Sequence, residues 1–153
     1  MPATTASPRE TAERFLSAAV GADPGDMADC YAASVVIEMP FAVAPLIPAR
    51  VETTREGLRA RFRAGTASRR YKSLGDVVIH ETTDPGVVIL EYELHGEFTQ
   101  TAEPFSLPFL MVLTIHGGQI VHSRDYSNPI AGAQVIGRLP ELIAALSKGS
   151  NGH

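Results

Sequence analysis

Apolar residues recur at helical spacing near the start of the chain. Four of them share one face of the predicted helix: Ala12, Phe15, Leu16 and Ala19. Just before them, residues 7–10 read Ser-Pro-Arg-Glu, a capping box in which proline takes the first helical position. The pattern predicts an amphipathic helix that ends at the stretch GADPG, residues 21–25.

The next segment mixes short elements with a loop. We predict a short helix over residues 27–32, followed by a β-rich run, SVVIEMPF, and a proline-rich loop over residues 41–51. A second capping box, Thr53 to Glu56, opens an amphipathic helix that runs to about residue 65.

Alternating apolar positions dominate the chain after residue 70. Two hairpins are predicted, one turning at residues 84–86 (Asp-Pro-Gly) and one at Gly117-Gly118. Asn128 is predicted to cap a closing helix, with another short helical piece from Pro140. Helices followed by consecutive antiparallel strands indicate an α+β fold, a bent sheet covered by N-terminal helices around an apolar pocket.

Composition indicates an ordinary globular chain. Its 153 residues are 44% hydrophobic and 20% charged, with a net charge of −4 that gives no reason to expect nucleic acid. One cysteine, no signal-peptide core and no membrane-length apolar run favour a cytoplasmic domain without membrane contact. We predict a disordered N-terminus over 1–6, a single domain over 7–138, and a helical extension with a flexible tail over 139–153.

Motifs for cofactor and metal chemistry are absent from the sequence. It has no phosphate-binding glycine loop, no nucleophile elbow and no paired histidine spacing, so we expect neither cofactor nor metal. Cys30 is interpreted as a small buried hydrophobe. Basic residues cluster over residues 50–72, either as a solvated helix face or as a rim that attracts an anionic substrate or partner.

The motif IVHSRDYSNP, together with the capped first helix, the VVIEMPF strand and the long hairpins, resembles the SnoaL-like branch of the nuclear transport factor 2-like superfamily. The resemblance covers roughly residues 8–138. It implies a cone-shaped α+β barrel, usually homodimeric, whose bent sheet encloses a pocket for a small hydrophobic molecule.

The resemblance also separates the chemistries found in that superfamily. The polar groups of ketosteroid isomerases align with Phe15, Met39 and Met111, so that mechanism is excluded. The Arg-x-Asp pair of limonene-epoxide hydrolases falls on residues 92–94, Tyr-Glu-Leu, although their closing motif matches residues 123–126. Polyketide cyclases and phenazine-biosynthesis A/B proteins carry an acid at the position of Asp125, which is the one functional group that carries over.

Alternation along the last strand places Ser123, Asp125 and Ser127 on one face. The resemblance implies that this face looks into the pocket, beside inward residues of the neighbouring elements: Phe15, Met39, Tyr92, Met111 and Leu113. Burial there would raise the pKa of Asp125 and suit it to acid/base work. Two other interpretations of Asp125 remain open. In one, Asp125 pairs with an arginine or caps the next segment. In the other, a one-residue slip in strand register exposes it to solvent.

Two further groups have structural interpretations. Glu38 is expected to point away from the pocket, toward Arg124 or a dimer surface, and His95 is expected on the outward face. The function predicted from these observations is a cofactor-independent enzyme in which Asp125 catalyses isomerisation or aldol-type cyclisation of a cyclic or polyketide-like metabolite, while pocket residues bind it. The alternatives are a non-catalytic dimeric binding module and an epoxide hydrolase-like enzyme.

Overall fold

The first helix forms as the sequence predicts. The computed structural model describes residues 4–150, and α1 spans Pro8–Ala19. The Ser7 hydroxyl accepts a hydrogen bond from the backbone N–H of Glu10, which confirms the N-cap. The predicted apolar face is buried in the main core. That face fixes α1 against the sheet.

A 3-10 helix, Pro24–Cys30, replaces the helix predicted over residues 27–32. The Asp23 carboxylate accepts from the backbone N–H of Gly25 at 2.8 Å and starts the turn there. The chain then becomes extended, so that β1 begins at Tyr31 and spans Tyr31–Glu38. Extending the predicted helix to residue 32 was therefore wrong, because Tyr31 joins the sheet.

The proline-rich loop also ends earlier than predicted. Strand β2, Arg50–Thr54, pairs antiparallel with β1, with Arg50 opposite Glu38. Helix α2 spans Arg55–Ala64, and its N-cap is Thr54, whose hydroxyl accepts from the backbone N–H of Gly57. The capping box predicted from Thr53 was wrong by one residue, since the hydroxyl that accepts the capping hydrogen bond is that of Thr54.

The second half of the chain forms the two predicted hairpins. Strands β3 (Arg69–Glu81) and β4 (Val87–Phe98) form the first, and β5 (Pro104–His116) and β6 (Gln119–Ser127) form the second. Gly117 and Gly118 both have positive φ, at 58° and 76°, which the tight turn requires. Both predicted hairpin turns are confirmed.

The strands form a six-stranded sheet in the order β2-β1-β6-β5-β4-β3. Only the β1–β6 pair is parallel among the strand pairs of residues 4–150. The α+β class and the mainly antiparallel sheet are confirmed. The sheet is open, with β2 and β3 as its edges, and the N-terminal helices cover its inner face, in keeping with the predicted cone-shaped fold.

Helix α1, the 3-10 helix and α2 pack with the inner face of the sheet in one core, whose fully buried members include Ala28, Leu90 and Leu113. Helix α3, Pro129–Val135, starts at Asn128, whose side chain accepts from the N–H groups of Ile130 and Ala131, as predicted. Its Ala133 forms a second, smaller core with α4.

Helix α4, Leu139–Ser150, runs further than the short piece predicted from Pro140 and enters the stretch predicted as a flexible tail. Of the N-terminus predicted to be disordered, residues 1–6, and of the tail predicted to be flexible, residues 147–153, residues 1–3 and 151–153 lie outside the described residues. Among the helices that the structure describes, none has the length and apolarity needed to cross a bilayer.

Candidate active site

A cavity of about 990 Å³ lies between the helices and the inner face of the sheet. Its wall is mostly aromatic and aliphatic, with contributions from α1, β1, α2, β4, β5 and β6. Among the predicted binding residues, Phe15, Met39, Tyr92 and Met111 line this cavity together with Asp125. The structure therefore brings these five residues to one space.

Asp125 reaches the cavity because of the alternation along β6. It lies opposite Met111 on β5, and Ser123 lies opposite Leu113, so both β6 side chains point to the inner face. Burial raises the pKa of Asp125 to about 6. The Ser123 hydroxyl, which donates to the Asp125 carboxylate, and the charges of Arg61 and His122 act in the opposite direction. A carboxyl group with this pKa exchanges protons near neutral pH.

Three predicted pocket residues do not line the cavity. Leu113 and Ser123 are both completely buried, two residues further along the β5–β6 ladder than Met111 and Asp125. The core is closed at that level, so placing these two residues in the cavity wall was wrong. Ser127, the last residue of β6, is half-buried and also lies outside the lining.

Tyr92 occupies the wall beside Asp125. Its ring stacks on Phe109, with centroids 5.4 Å apart, and its hydroxyl donates to the Met111 sulfur at 3.3 Å. Burial, with the nearby charge of Asp125, raises the pKa of Tyr92, so its hydroxyl stays protonated. A thioether is a weak acceptor, so this hydroxyl can turn to a ligand oxygen at little cost.

Tyr31 is a cavity residue that the sequence reasoning missed. It is 2% exposed, its ring packs edge-on against Phe15 at 6.1 Å, and it lines the same cavity. Burial, followed by the charge of Asp125, raises the pKa of Tyr31 well above its ordinary value. Its hydroxyl has no hydrogen-bond partner among the described side chains and backbone. The signal available in the sequence was that Tyr31 is an aromatic residue three positions before the β-rich run SVVIEMPF.

The remaining charged side chains of the lining form what we call the cavity mouth: Asp23, Arg61, Arg63, Arg69, Arg70 and Lys72. Asp23 is bound to Arg63, with Nη2 and Oδ2 2.9 Å apart, and this contact holds the pKa of Asp23 below its ordinary value. Asp23 therefore remains ionised at neutral pH and differs from Asp125. The basic cluster predicted from the sequence thus includes several residues of the cavity wall.

The opposite face of β6 carries a separate polar contact. Glu38 accepts from the His122 ring at 2.7 Å and lies 3.7 Å from Arg50, so its nearest partners differ from the expected Arg124. The His122 contact lowers the pKa of Glu38. His95, as expected, is not in the cavity lining and contacts Ser106 at 2.7 Å. These residues shape the outer surface of the sheet.

Metal-binding chemistry has no obvious site in the described part of the chain. No group of three histidine, cysteine, aspartate or glutamate residues there has metal-binding geometry. Cys30 is 2% exposed, and burial raises the pKa of its thiol, in keeping with its interpretation as a small core residue.

Comparison with known proteins identifies relatives of this chain. Residues 12–123 match the family profile of the SnoaL-like domain. An uncharacterized protein of Bacillus subtilis (strain 168), YesE, is 23% identical over 128 residues, which are 84% of this chain and 86% of that protein.

Two solved structures show the same fold. A Bacillus subtilis protein named "Putative Isomerase" has a TM-score of 0.74 and 22% identity, covering 86% of this chain and 93% of its own. A Pseudomonas putida KT2440 protein named "putative polyketide cyclase" has a TM-score of 0.68 and 16% identity, covering 84% and 97%. At these identities the two structures establish shared architecture alone.

Proposed function

This chain belongs to the SnoaL-like domain family, and from that premise we propose that it is a cofactor-independent acid/base enzyme with Asp125 as its proton-transfer group. The observation that supports the proposal is a carboxyl group with a pKa of about 6 in the wall of a mainly apolar cavity. The proposed substrate is a hydrophobic cyclic or polyketide-like metabolite with a carbonyl group.

In the proposed reaction, the Asp125 carboxylate removes a proton from the carbon next to the substrate carbonyl. The electron pair of that C–H bond moves to the carbonyl oxygen, and the hydroxyls of Tyr31 and Tyr92 donate to the resulting enolate. Both hydroxyls remain protonated because burial raises their pKa values. Ser123 holds the Asp125 carboxylate and acts as a positioning residue.

The proton taken up by Asp125 returns to the substrate in one of two ways. In an isomerisation, protonated Asp125 returns the proton to a different carbon of the conjugated enolate. In an aldol-type cyclisation, the enolate carbon attacks a second carbonyl of the same molecule, and Asp125 protonates the new alkoxide. Neither route needs an oxidant or a second carboxylate.

The test follows exchange of α-protons by 1H NMR, with 2-tetralone in D2O as a cyclic ketone probe. Wild-type protein is expected to accelerate exchange, and Asp125→Asn to lose it by at least about 100-fold, as removal of a general base does. Asp23→Asn is the matched control, because Asp23 also lines the cavity but is bound to Arg63. Equal exchange by Asp125→Asn and wild type would overturn the proposal.

A second candidate, a non-catalytic binding protein, is favoured by the predominance of aromatic and aliphatic residues in the cavity lining. Tight binding of 2-tetralone without exchange by the wild-type protein would support it. Epoxide hydrolysis receives no such support, because the other carboxylate in the described lining, Asp23, is bound to Arg63.

A further inference from the structure

The arginines of α2 divide into two groups by their contacts. Arg55 donates to the backbone oxygen of Tyr31, Arg59 to Asp29, and Arg63 to Asp23, at 2.8, 2.6 and 2.9 Å. These three are spaced four residues apart, so they form one stripe that joins α2 to the 3-10 helix and β1. The charged groups of these three arginines make contacts that stabilise the fold.

Arg61 departs from that stripe. Two residues beyond Arg59, it lies roughly 200° further around the helix. Its side chain is exposed, lines the cavity, and has no hydrogen bond or ion pair with the residues that the structure describes. Its charge acts on Asp125, so the guanidinium lies within electrostatic reach of that carboxylate. Arg61 is therefore a cation of the cavity wall that makes no polar contact with the described residues.

The rest of the cavity mouth adds to this positive charge. Lys72 is paired with Glu97 at 3.1 Å, but Arg69 donates to the neutral Tyr71 and Ser68 hydroxyls, and Arg70 has no polar partner among the described residues. Five basic and two acidic residues contribute to the lining, in a chain whose net charge is −4. A local excess of positive charge in an acidic protein favours an anionic ligand.

We propose that the ligand of this cavity is a hydrophobic acid, whose carboxylate is bound by Arg61. The planar guanidinium donates two parallel hydrogen bonds to a carboxylate, which orients as well as attracts it. The acid group stays at the solvent-facing side while the apolar body enters toward Asp125. This inference rests on the proposed function and adds the substrate class to it.

The alternative role of Arg61 is to offset the charge of Asp125 alone. The two roles differ in what they require of a ligand. An arginine that serves only Asp125 gives no advantage to an acid over a neutral molecule of equal shape, and the ionised Asp125 repels the acid. An arginine that binds substrate reverses this preference.

The test compares two matched probes, 2-naphthoate and the neutral 2-naphthamide, by isothermal titration calorimetry at pH 7.5 and low salt. Wild-type protein is expected to bind the acid about tenfold more tightly than the amide, as for a charge-assisted contact. Arg61→Gln is expected to abolish this preference, and 0.5 M NaCl to reduce it.

Arg124→Gln is the matched control. Arg124 is also exposed and without a hydrogen bond or ion pair, but it lies on the outer face of β6 and outside the cavity lining. It should retain the preference for the acid. Equal affinities for acid and amide in wild type, or a preference that survives in Arg61→Gln, would overturn the inference.

Asp125→Asn separates this inference from the proposed function. Its preference for the acid should persist, because binding needs no proton transfer. If it keeps full exchange activity while the preference depends on Arg61, the proposed function fails and the acid site stands. If exchange is lost but acid and amide bind equally, the acid site alone fails.

Discussion

The buried hydroxyl of Ser123 donates a hydrogen bond to the carboxylate of Asp125, two residues further along β6. Residues two apart on a strand share a face, so the strand itself builds this pair without any loop. The hydrogen bond favours the ionised carboxylate, while burial favours the protonated one. Their balance leaves Asp125 with a pKa of about 6, where both forms are available near neutral pH.

Asp125 should make stability depend on pH in a predictable direction. Its pKa is raised from 3.8 to about 6 on folding, so the folded state holds this proton more tightly than the unfolded state. The stabilisation is complete below pH 4 and is lost as pH rises to about 6. The free energy of unfolding of wild type should fall by about 1–3 kcal/mol over that window, relative to Asp125→Asn.

Chemical denaturation of both proteins at pH 4, 5, 6 and 7 measures this difference. Other titrating groups are common to the two proteins and cancel in the subtraction. A difference that stays constant across the series, or grows in the opposite direction, would show that burial does not govern Asp125.

Replacing Ser123 with alanine should raise the pKa of Asp125 further. The variant removes the hydroxyl that favours the ionised form and leaves burial in place. The pH profile of α-proton exchange should therefore move to higher pH, with a loss of about 1–2 kcal/mol in stability at neutral pH.

Ser127→Ala is the control for this change. Ser127 is on the same face of β6, but its hydroxyl makes no hydrogen bond within the described residues. Its profile should match that of wild type. A Ser123→Ala profile that also matches wild type would mean that the hydroxyl does not influence Asp125.

Tyr31→Phe should separate catalysis from stability. The Tyr31 hydroxyl has no partner among the described residues, so its loss should change the free energy of unfolding by less than about 0.5 kcal/mol. If the hydroxyl donates to an enolate, the exchange rate should fall about 10- to 100-fold. Unfolding curves and exchange rates of the same preparation decide the matter, and an unchanged rate would remove Tyr31 from the mechanism.

The position of Asp125 was predictable because strand alternation puts it on one face of β6 with Ser123, and the family resemblance implies that this face looks into the pocket. The same reasoning failed one pair further along, at Leu113 and Ser123, because alternation gives the face but not where the cavity ends. Tyr31 was missed because its segment was interpreted as helical.

The sequence left open whether the basic cluster is a solvated helix face or a rim for an anionic ligand, because it does not show which of these arginines are neutralised. Helical spacing gives the direction of Arg61 on α2, but whether an arginine is neutralised depends on distant segments. Asp23 and Asp29 lie in the 3-10 helix and its N-cap, and they engage Arg63 and Arg59 while leaving Arg61 without a partner. Only the folded structure shows which arginines these two aspartates contact.

The most direct test is a 13C NMR titration of the side-chain carboxyl of Asp125, assigned by the resonance that disappears in Asp125→Asn. A buried cavity carboxyl should titrate with a midpoint near pH 6. A midpoint at or below about pH 4, the ordinary range of an exposed or ion-paired aspartate, would contradict the central claim.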